Sequence, residues 1–229
     1  MDGKSIARRA LEIGAIKLDP KNFFQDKGVY KPIFNDLSLF LYDPKQRKNI
    51  SDSFIELMDY NYDALTSISQ IGVSITTSIA DYLSKPLIFL RDSDNLGHKR
   101  YYLDGLSDVR QLEGKRVIII DERLDSGSSI LRATCALRNF GFLSDKFHPI
   151  FDYGFKNTKD LFNGKREFNN FGLKLIHPLE VKPLFDLDTL LEVAIEDNYI
   201  SSAEKEDILL WKNDNPKWKS VHYPISRYP

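Results

Sequence analysis

The sequence predicts an α/β fold, with a central, mostly parallel sheet flanked by helices. Three observations carry this. Val117–Ile120 is a wholly apolar, β-branched run, as expected of a strand buried on both faces by covering helices. Strand-like runs alternate with helix-periodic runs between residues 59 and 180, the rhythm of βαβ units. The chain has 229 residues and 42% hydrophobic content, enough for one domain with a sizeable core.

Taken in order, Ser5–Ala15 reads as a short amphipathic helix with Ser5 as its cap and Gly14 at its end. Lys17–Leu41 holds extended pieces broken by Pro20, Gly28 and Pro32. Asp43 and Pro44 open a helix that runs to Met58. Strands are expected at Asp63–Ile68, Pro86–Leu90, Val117–Ile120, Phe147–Phe151 and Leu173–Ile176, with a hairpin arm at Arg100–Leu103. Helices are expected at Gly72–Leu83 and Ser128–Phe140, the second ended by Gly141. Asp186 caps a helix to Asn198, and Ser201 with Glu204 forms a capping box for another through Trp211. The aromatic tail carrying Trp218, Tyr223 and Tyr228 is expected to pack on the domain. Residues 1–42, 59–180 and 186–229 are thus an N-terminal segment, an α/β core and C-terminal helices of one domain.

Composition excludes several classes. Lys plus Arg total 32 against 33 Asp plus Glu, a net charge of −1. A nucleic-acid binder carries a basic excess, so none is expected. No apolar run approaches the roughly 18 residues of a membrane span, and the first residues lack a signal-peptide core. A cytoplasmic protein without a membrane partner is the expectation. Cys135 is the single cysteine, which excludes an internal disulfide and a cysteine-based zinc site. It reads as a small buried hydrophobe. His148 and His177 read as structural hydrogen-bonders. The basic runs Lys4–Arg9 and Lys45–Lys48 read as solvated helix faces.

The chemistry concentrates in Val117–Ile130. A buried strand ends in Asp121 and Glu122, a small hydroxyl-rich loop follows, and a helix begins. In open α/β sheets, ligands sit outside the carboxyl ends of strands. The loop Asp125–Ser129 aims backbone N–H groups at a phosphate, and the helix start adds partial positive charge. Gly127 permits close backbone approach. Ser126, Ser128 and Ser129 supply hydroxyl donors. Asp121 and Glu122 suit ribose hydroxyls, or a hard cation such as Mg²⁺ held through water.

This segment resembles the phosphoribosyl-pyrophosphate (PRPP) motif of the type I phosphoribosyltransferases: several hydrophobics, two acids, then a Ser/Thr-Gly-Ser/Thr loop. The flanks resemble orotate phosphoribosyltransferase. Leu11–Lys17 is similar to its N-terminal helix and turn, and Lys27–Asp36 to its Ser-Gly-x-x-Ser-Pro segment. Asp63–Gly72 is similar to its pyrophosphate loop, Lys85–Arg91 and Tyr102–Gly105 to the flanks of its mobile catalytic loop, and Ile200–Trp218 to its C-terminal helices. The resemblance spans nearly the whole chain. It implies an N-terminal hood, Mg²⁺ as cofactor, PRPP and a nucleobase as partners, and a homodimer. Carried over residue by residue, it implies that Asp121, Glu122, Asp125 to Ser129, Ser67, Ser69 and Lys31 bind PRPP. It also implies that Tyr30, Phe34 and Tyr153 lie at the base, and that Arg91, His98, Lys99 and Asp125 serve catalysis.

Three departures bear on activity. The family's mobile loop reads Arg-Lys-x-x-Lys-x-His-Gly. Here Arg91 is kept, but Asp92 and Asn95 stand at the lysine positions, and His98 and Lys99 fall one place out of register. Second, the family's Asp-Arg that meets orotate is here Asp152-Tyr153. A tyrosine cannot pair with a carboxylate as a guanidinium does. Third, Asp125 stands where the orotate family has Thr, and it reads either as a general base or as a loop cap. The resulting expectation is a Mg²⁺-dependent phosphoribosyltransferase acting on an orotate-like pyrimidine. The alternative is a repurposed PRPP- or nucleotide-binding domain that regulates a partner.

Overall fold

The computed structural model describes residues 1–26, 29–59, 61–93, 100–104, 113–167 and 174–222. Its elements in chain order begin with α1 (Gly3–Glu12), β1 (Ile16–Leu18), β2 (Phe24–Asp26), β3 (Val29–Lys31), β4 (Ile33–Asn35), α2 (Leu39–Tyr42) and α3 (Pro44–Leu57). Next come β5 (Ala64–Ser67), α4 (Gln70–Leu83), β6 (Leu87–Ser93), β7 (Arg100–Asp104), β8 (Val117–Leu124), α5 (Ser128–Asn139), β9 (Lys146–Asp152) and α6 (Lys156–Phe162). The chain closes with β10 (Glu180–Val181), β11 (Phe185–Asp186), α7 (Leu187–Glu196), α8 (Ser202–Asn213) and α9 (Asn215–His222).

The main sheet runs β10-β9-β8-β5-β6-β7, with β11 also on β9. Pairing is parallel from β10 and β11 through β9, β8 and β5 to β6. β7 folds back antiparallel on β6, as the hairpin expectation required. The predicted class, a mostly parallel sheet flanked by helices, is the observed one.

β8 shows why the sheet is two-sided. Ile118 and Ile120 enter one core, shared with α1, α3, α4 and α7. Val117 and Ile119 enter the other, shared with α5. All four are fully buried, each burial contributing roughly 1.5–3 kcal/mol. β8 also runs four residues beyond its expected end at Ile120, because pairing with β9 continues to Arg123 opposite Phe151 and Leu124 opposite Asp152. The polar side chains of residues 121–123 hide that half of the strand from a hydrophobicity pattern.

Other expectations need correction. Lys174–Ile176 form no strand, and Ile176 is 89% exposed. The place beside β9 belongs instead to residues 180–181 and 185–186. Asp2, not Ser5, caps α1, accepting from the Ser5 N–H at 2.8 Å. The basic runs are engaged rather than merely solvated. Lys4 and Arg8 reach Glu196 and Asp197 at 2.8 and 2.7 Å, tying α1 to α7. Gln46 is buried, and Arg47 donates to the Leu41 carbonyl. Helices α6 and α9 escape the sequence reading because each is only about two turns long.

Of the two histidines read as structural hydrogen-bonders, only His148 uses its ring; His177 is exposed and offers its backbone carbonyl to Arg138 at 2.8 Å. Cys135 is half-buried, and burial pushes its thiol up, away from nucleophilic use. His148 is buried with Nδ1 3.0 Å from the Lys182 carbonyl. Trp218 is fully buried, edge-on to Phe23 at 5.1 Å, so the C-terminal helices grip the N-terminal ribbons. Lys21 reinforces this with an ion pair to Glu204 at 2.9 Å. Tyr223 and Tyr228 lie outside the described residues. Among the described residues no helix is long and apolar enough to cross a membrane.

Candidate active site

β8 delivers the chain to the carboxyl edge of the sheet, and Asp125–Gly127 turn it into α5. Gly127 is the N-cap of α5 at φ +75°, with no side chain to satisfy the helix start. A Cβ there would lie 2.8 Å from Phe162 Cζ and 2.9 Å from Thr158 Cγ2, so only glycine fits. The first-turn N–H groups of α5 therefore have no side-chain cap, and the positive helix end is available to an anion. Ser126 Oγ lies 3.3 Å from Ser128 Oγ, and Arg132 donates to Ser129 Oγ at 3.4 Å. Thr158 Oγ1 donates to the Asp125 carbonyl at 2.8 Å and pins the loop to α6. A cavity of about 280 Å³ opens here, lined by Ile68, Ser69 and the residues from Asp121 to Ile130.

The two acids divide their roles. Asp121 is 3% exposed and faces the turn that follows β5. Its carboxylate accepts from the N–H groups of Ile68 and Ser69 at 3.3 and 3.2 Å, from Glu122 N–H at 2.7 Å, and from the Ser69 hydroxyl. Burial pushes its pKa up, against these donors. Gly72, on α4, completes the clamp: a Cβ there would come within 2.6 Å of Asp121 Oδ1. The Asp121 carboxylate thus holds the turn at residues 67–69. Both acids line the cavity, Glu122 without the donors of the turn. Burial raises its pKa, while Arg123 beside it acts in the opposite direction.

The other expected residues are placed as follows. Ser67 is buried beneath the turn, whereas Ser69 lines the cavity while bonding Asp121 and capping α4 at Gly72 N–H. Lys31 reaches Asp125 at 3.9 Å. Gly127, not Asp125, is the N-cap residue of α5, and the Asp125 carboxylate pairs with Lys31. Phe34 is 40% exposed with the Lys17 ammonium 5.8 Å above its ring, and Tyr30 is similarly exposed. Tyr153 departs from expectation. It is 2% exposed, stacked on Phe155 at 5.4 Å and edge-on to Trp211, so its ring has no open face for a base. Arg91 pairs with Asp104 at 2.7 Å across its own hairpin and does not line the cavity. His98 and Lys99 lie outside the described residues.

Sequence reasoning missed Arg123 and Asn35. Arg123 donates to Asn35 Oδ1 at 2.6 Å, and Asn35 donates to the Tyr153 hydroxyl. This chain of contacts joins β8, β4 and the segment after β9. The available signal was a cation immediately after two acids, at the end of an apolar strand. A second cavity, about 680 Å³, adjoins the loop at Asp125 and Ser126 and extends past Phe155, Lys156 and Trp211.

A metal would find little protein cage. Among the described residues no three His, Cys, Asp or Glu converge on a cation position. Asp121 is committed to the turn, which leaves Glu122. Mg²⁺ commonly keeps several waters and binds one or two carboxylates plus substrate phosphates, so the residues fit an ion that arrives with a phosphorylated ligand.

Comparisons with known proteins agree with this geometry. The chain is 27% identical over 218 residues to the orotate phosphoribosyltransferase of Coxiella burnetii, covering 93% of this chain and 97% of that protein. It is 28% identical to the orotate phosphoribosyltransferase of Listeria monocytogenes, covering 94% and 97%. The fold matches orotate phosphoribosyltransferase from Aeropyrum pernix at TM-score 0.65 and 19% identity, over 86% of this chain and 99% of that one. It matches Leishmania donovani UMP synthase at 0.67 and 20% identity, over 91% of this chain and 41% of that one. The phosphoribosyl transferase domain model covers residues 45–163, just over half the chain and including both the clamped turn and the α5 loop. With sheet, loop and relatives in agreement, the chain belongs to the phosphoribosyl transferase domain family, as a type I phosphoribosyltransferase similar to the orotate enzymes.

Proposed function

We propose that the protein transfers ribose 5-phosphate from PRPP to an orotate-like pyrimidine, releasing pyrophosphate, with Mg²⁺ accompanying the leaving group. The carrying observation is the pair of helix starts at one edge. α4 and α5 begin where neighbouring strands β5 and β8 end, and residues of both starts line the same cavity. Two positive ends with an acid between them suit a ligand with phosphate at each end and ribose in the middle.

In this reading the α5 N–H groups and the hydroxyls of Ser126, Ser128 and Ser129 receive the 5′-phosphate. Glu122 holds ribose hydroxyls. The turn clamped by Asp121 presents the α4 start to pyrophosphate, and the Lys31–Asp125 pair faces the base. Mg²⁺ bound to PRPP would offset charge on the departing pyrophosphate. Arg91, His98 and Lys99 would add positive charge toward the departing pyrophosphate.

The test is pyrophosphate release from PRPP and Mg²⁺ with orotate, uracil and a purine panel, and with no base. Release with one base names the acceptor. PRPP binding without release for any base would refute the transferase reading and favour a regulatory domain. That alternative has one observation behind it: Arg91 is engaged by Asp104 rather than turned to the cavity.

A further inference from the structure

Arg123 lines the cavity beside Glu122, yet neither the phosphate loop nor the acid pair requires a guanidinium there. Its position is set from two sides. Nη1 donates to Asn35 Oδ1 at 2.6 Å, and the Asn35 amide is held in turn by Tyr153. Tyr153 cannot swing away, because Phe151, Phe155 and Trp211 pack around its ring. The second contact, to Glu122 Oε1 at 3.6 Å, also falls on Nη1 and is longer than a hydrogen bond. The side chain is 39% exposed, so solvent or a ligand reaches it. Orienting a long, rotamer-rich side chain costs conformational entropy. An Asn–Tyr brace is more than a counter-ion to Glu122 needs.

We infer that Arg123 is a specificity-determining residue: its Nε/Nη2 edge receives a carboxylate carried on the acceptor base. This rests on the proposed transferase reading. A planar guanidinium fork fixed at one nitrogen presents its other edge in the geometry a carboxylate accepts, with two parallel N–H donors. Glu122 at the ribose and Asn35 beside Phe34 bracket Arg123 on either side. The base, joined to the ribose, therefore passes Arg123. A neutral ring would leave the guanidinium with the Asn35 hydrogen bond and the longer glutamate contact; a carboxylated ring would neutralise it.

The experiment compares wild type with Arg123→Leu and Arg123→Lys. It uses PRPP and Mg²⁺ with orotate or with uracil, which is the same ring without the carboxylate. It also measures equilibrium orotate binding in the presence of pyrophosphate-free ribose 5-phosphate, and PRPP affinity. The expected result is that Arg123→Leu lowers the orotate-over-uracil ratio of kcat/KM by about ten- to a hundred-fold, the loss of a charge-assisted pair. Arg123→Lys keeps charge without the fork and falls between. Orotate binding weakens in the same order, and thermal unfolding checks that both variants fold. A counter-ion role alone would instead weaken PRPP binding and shift the pH profile equally for both bases, leaving the ratio in place; that result overturns the inference. So does a wild type that prefers uracil or a purine. Failure of wild type to release pyrophosphate with any base refutes the transferase reading, while orotate binding that depends on Arg123 would still support the inference.

Discussion

Replacing Gly127 by alanine tests the loop geometry directly. The residue sits at φ +75°, a region that costs an L-residue roughly 1–2 kcal/mol. The new methyl would also meet Phe162 Cζ at 2.8 Å and Thr158 Cγ2 at 2.9 Å. Overpacking of this kind costs about 1–3 kcal/mol. Against this, alanine narrows the unfolded ensemble by about 0.4–1 kcal/mol. The net is a destabilisation of about 1–4.6 kcal/mol. Gly114→Ala supplies the control, because Gly114 has φ +72° and nothing within 4 Å of its Cβ position. It carries the dihedral cost without the packing cost. Urea unfolding of both variants, with equal slopes, isolates the packing contribution as their difference. Equal midpoints for the two variants would refute the claim that Phe162 and Thr158 leave room only for glycine. Gly127→Ala should also weaken PRPP binding, by shifting the α5 start.

Three further outcomes follow from the site and its supports. Asp121→Asn places an amide NH₂ against donors from residues 68, 69 and 122; it should destabilise by about 1–3 kcal/mol and lower kcat more than PRPP affinity. Stopped-flow turnover with parallel PRPP titration checks this, and a loss confined to affinity would refute the clamp. Tyr153→Phe removes the acceptor of the Asn35 amide and should cost about 0.5–1.5 kcal/mol in urea unfolding, with a larger effect on orotate KM than on PRPP Kd. Glu204 is held down to about 2 by the Lys21 ammonium first and by the Ser201 N–H and hydroxyl. A depressed carboxylate contributes stability above its unfolded value of 4.5 that is lost as pH falls toward about 2. Wild type and Glu204→Gln should therefore differ in thermal midpoint at neutral pH and converge in that acid window; a constant difference would refute the assignment.

Much of the fold was legible because the deciding residues are apolar and periodic. Val117–Ile120 announced a two-sided strand, and the Ser201–Glu204 capping box forms as read. The turn into α5 was legible because a run of small residues after an acid pair marks a tight strand-to-helix turn. What stayed hidden depends on three-dimensional partners. Asp121 and Glu122 look alike in sequence and both line the cavity, yet only Asp121 is bound by a turn 53 positions away. Tyr153 reads as a base contact until Phe155 and Trp211 are seen to cover it. The strand expected at 173–176 failed because pairing beside β9 is decided by chain path rather than by local composition.

The grip of the last helices on the first ribbons has a consequence for synthesis. Phe23 rests on Trp218, Lys21 on Glu204, and α1 on α7. The N-terminal strands that touch Arg123 and Asp125 are therefore braced by residues translated well after them. A chain still on the ribosome has its sheet and the turn into α5 but lacks the brace that sets Asn35 and Lys31 over them. The turn into α5 can therefore form during translation, whereas the seating of Asn35 and Lys31 must wait until α8 and α9 have cleared the exit tunnel.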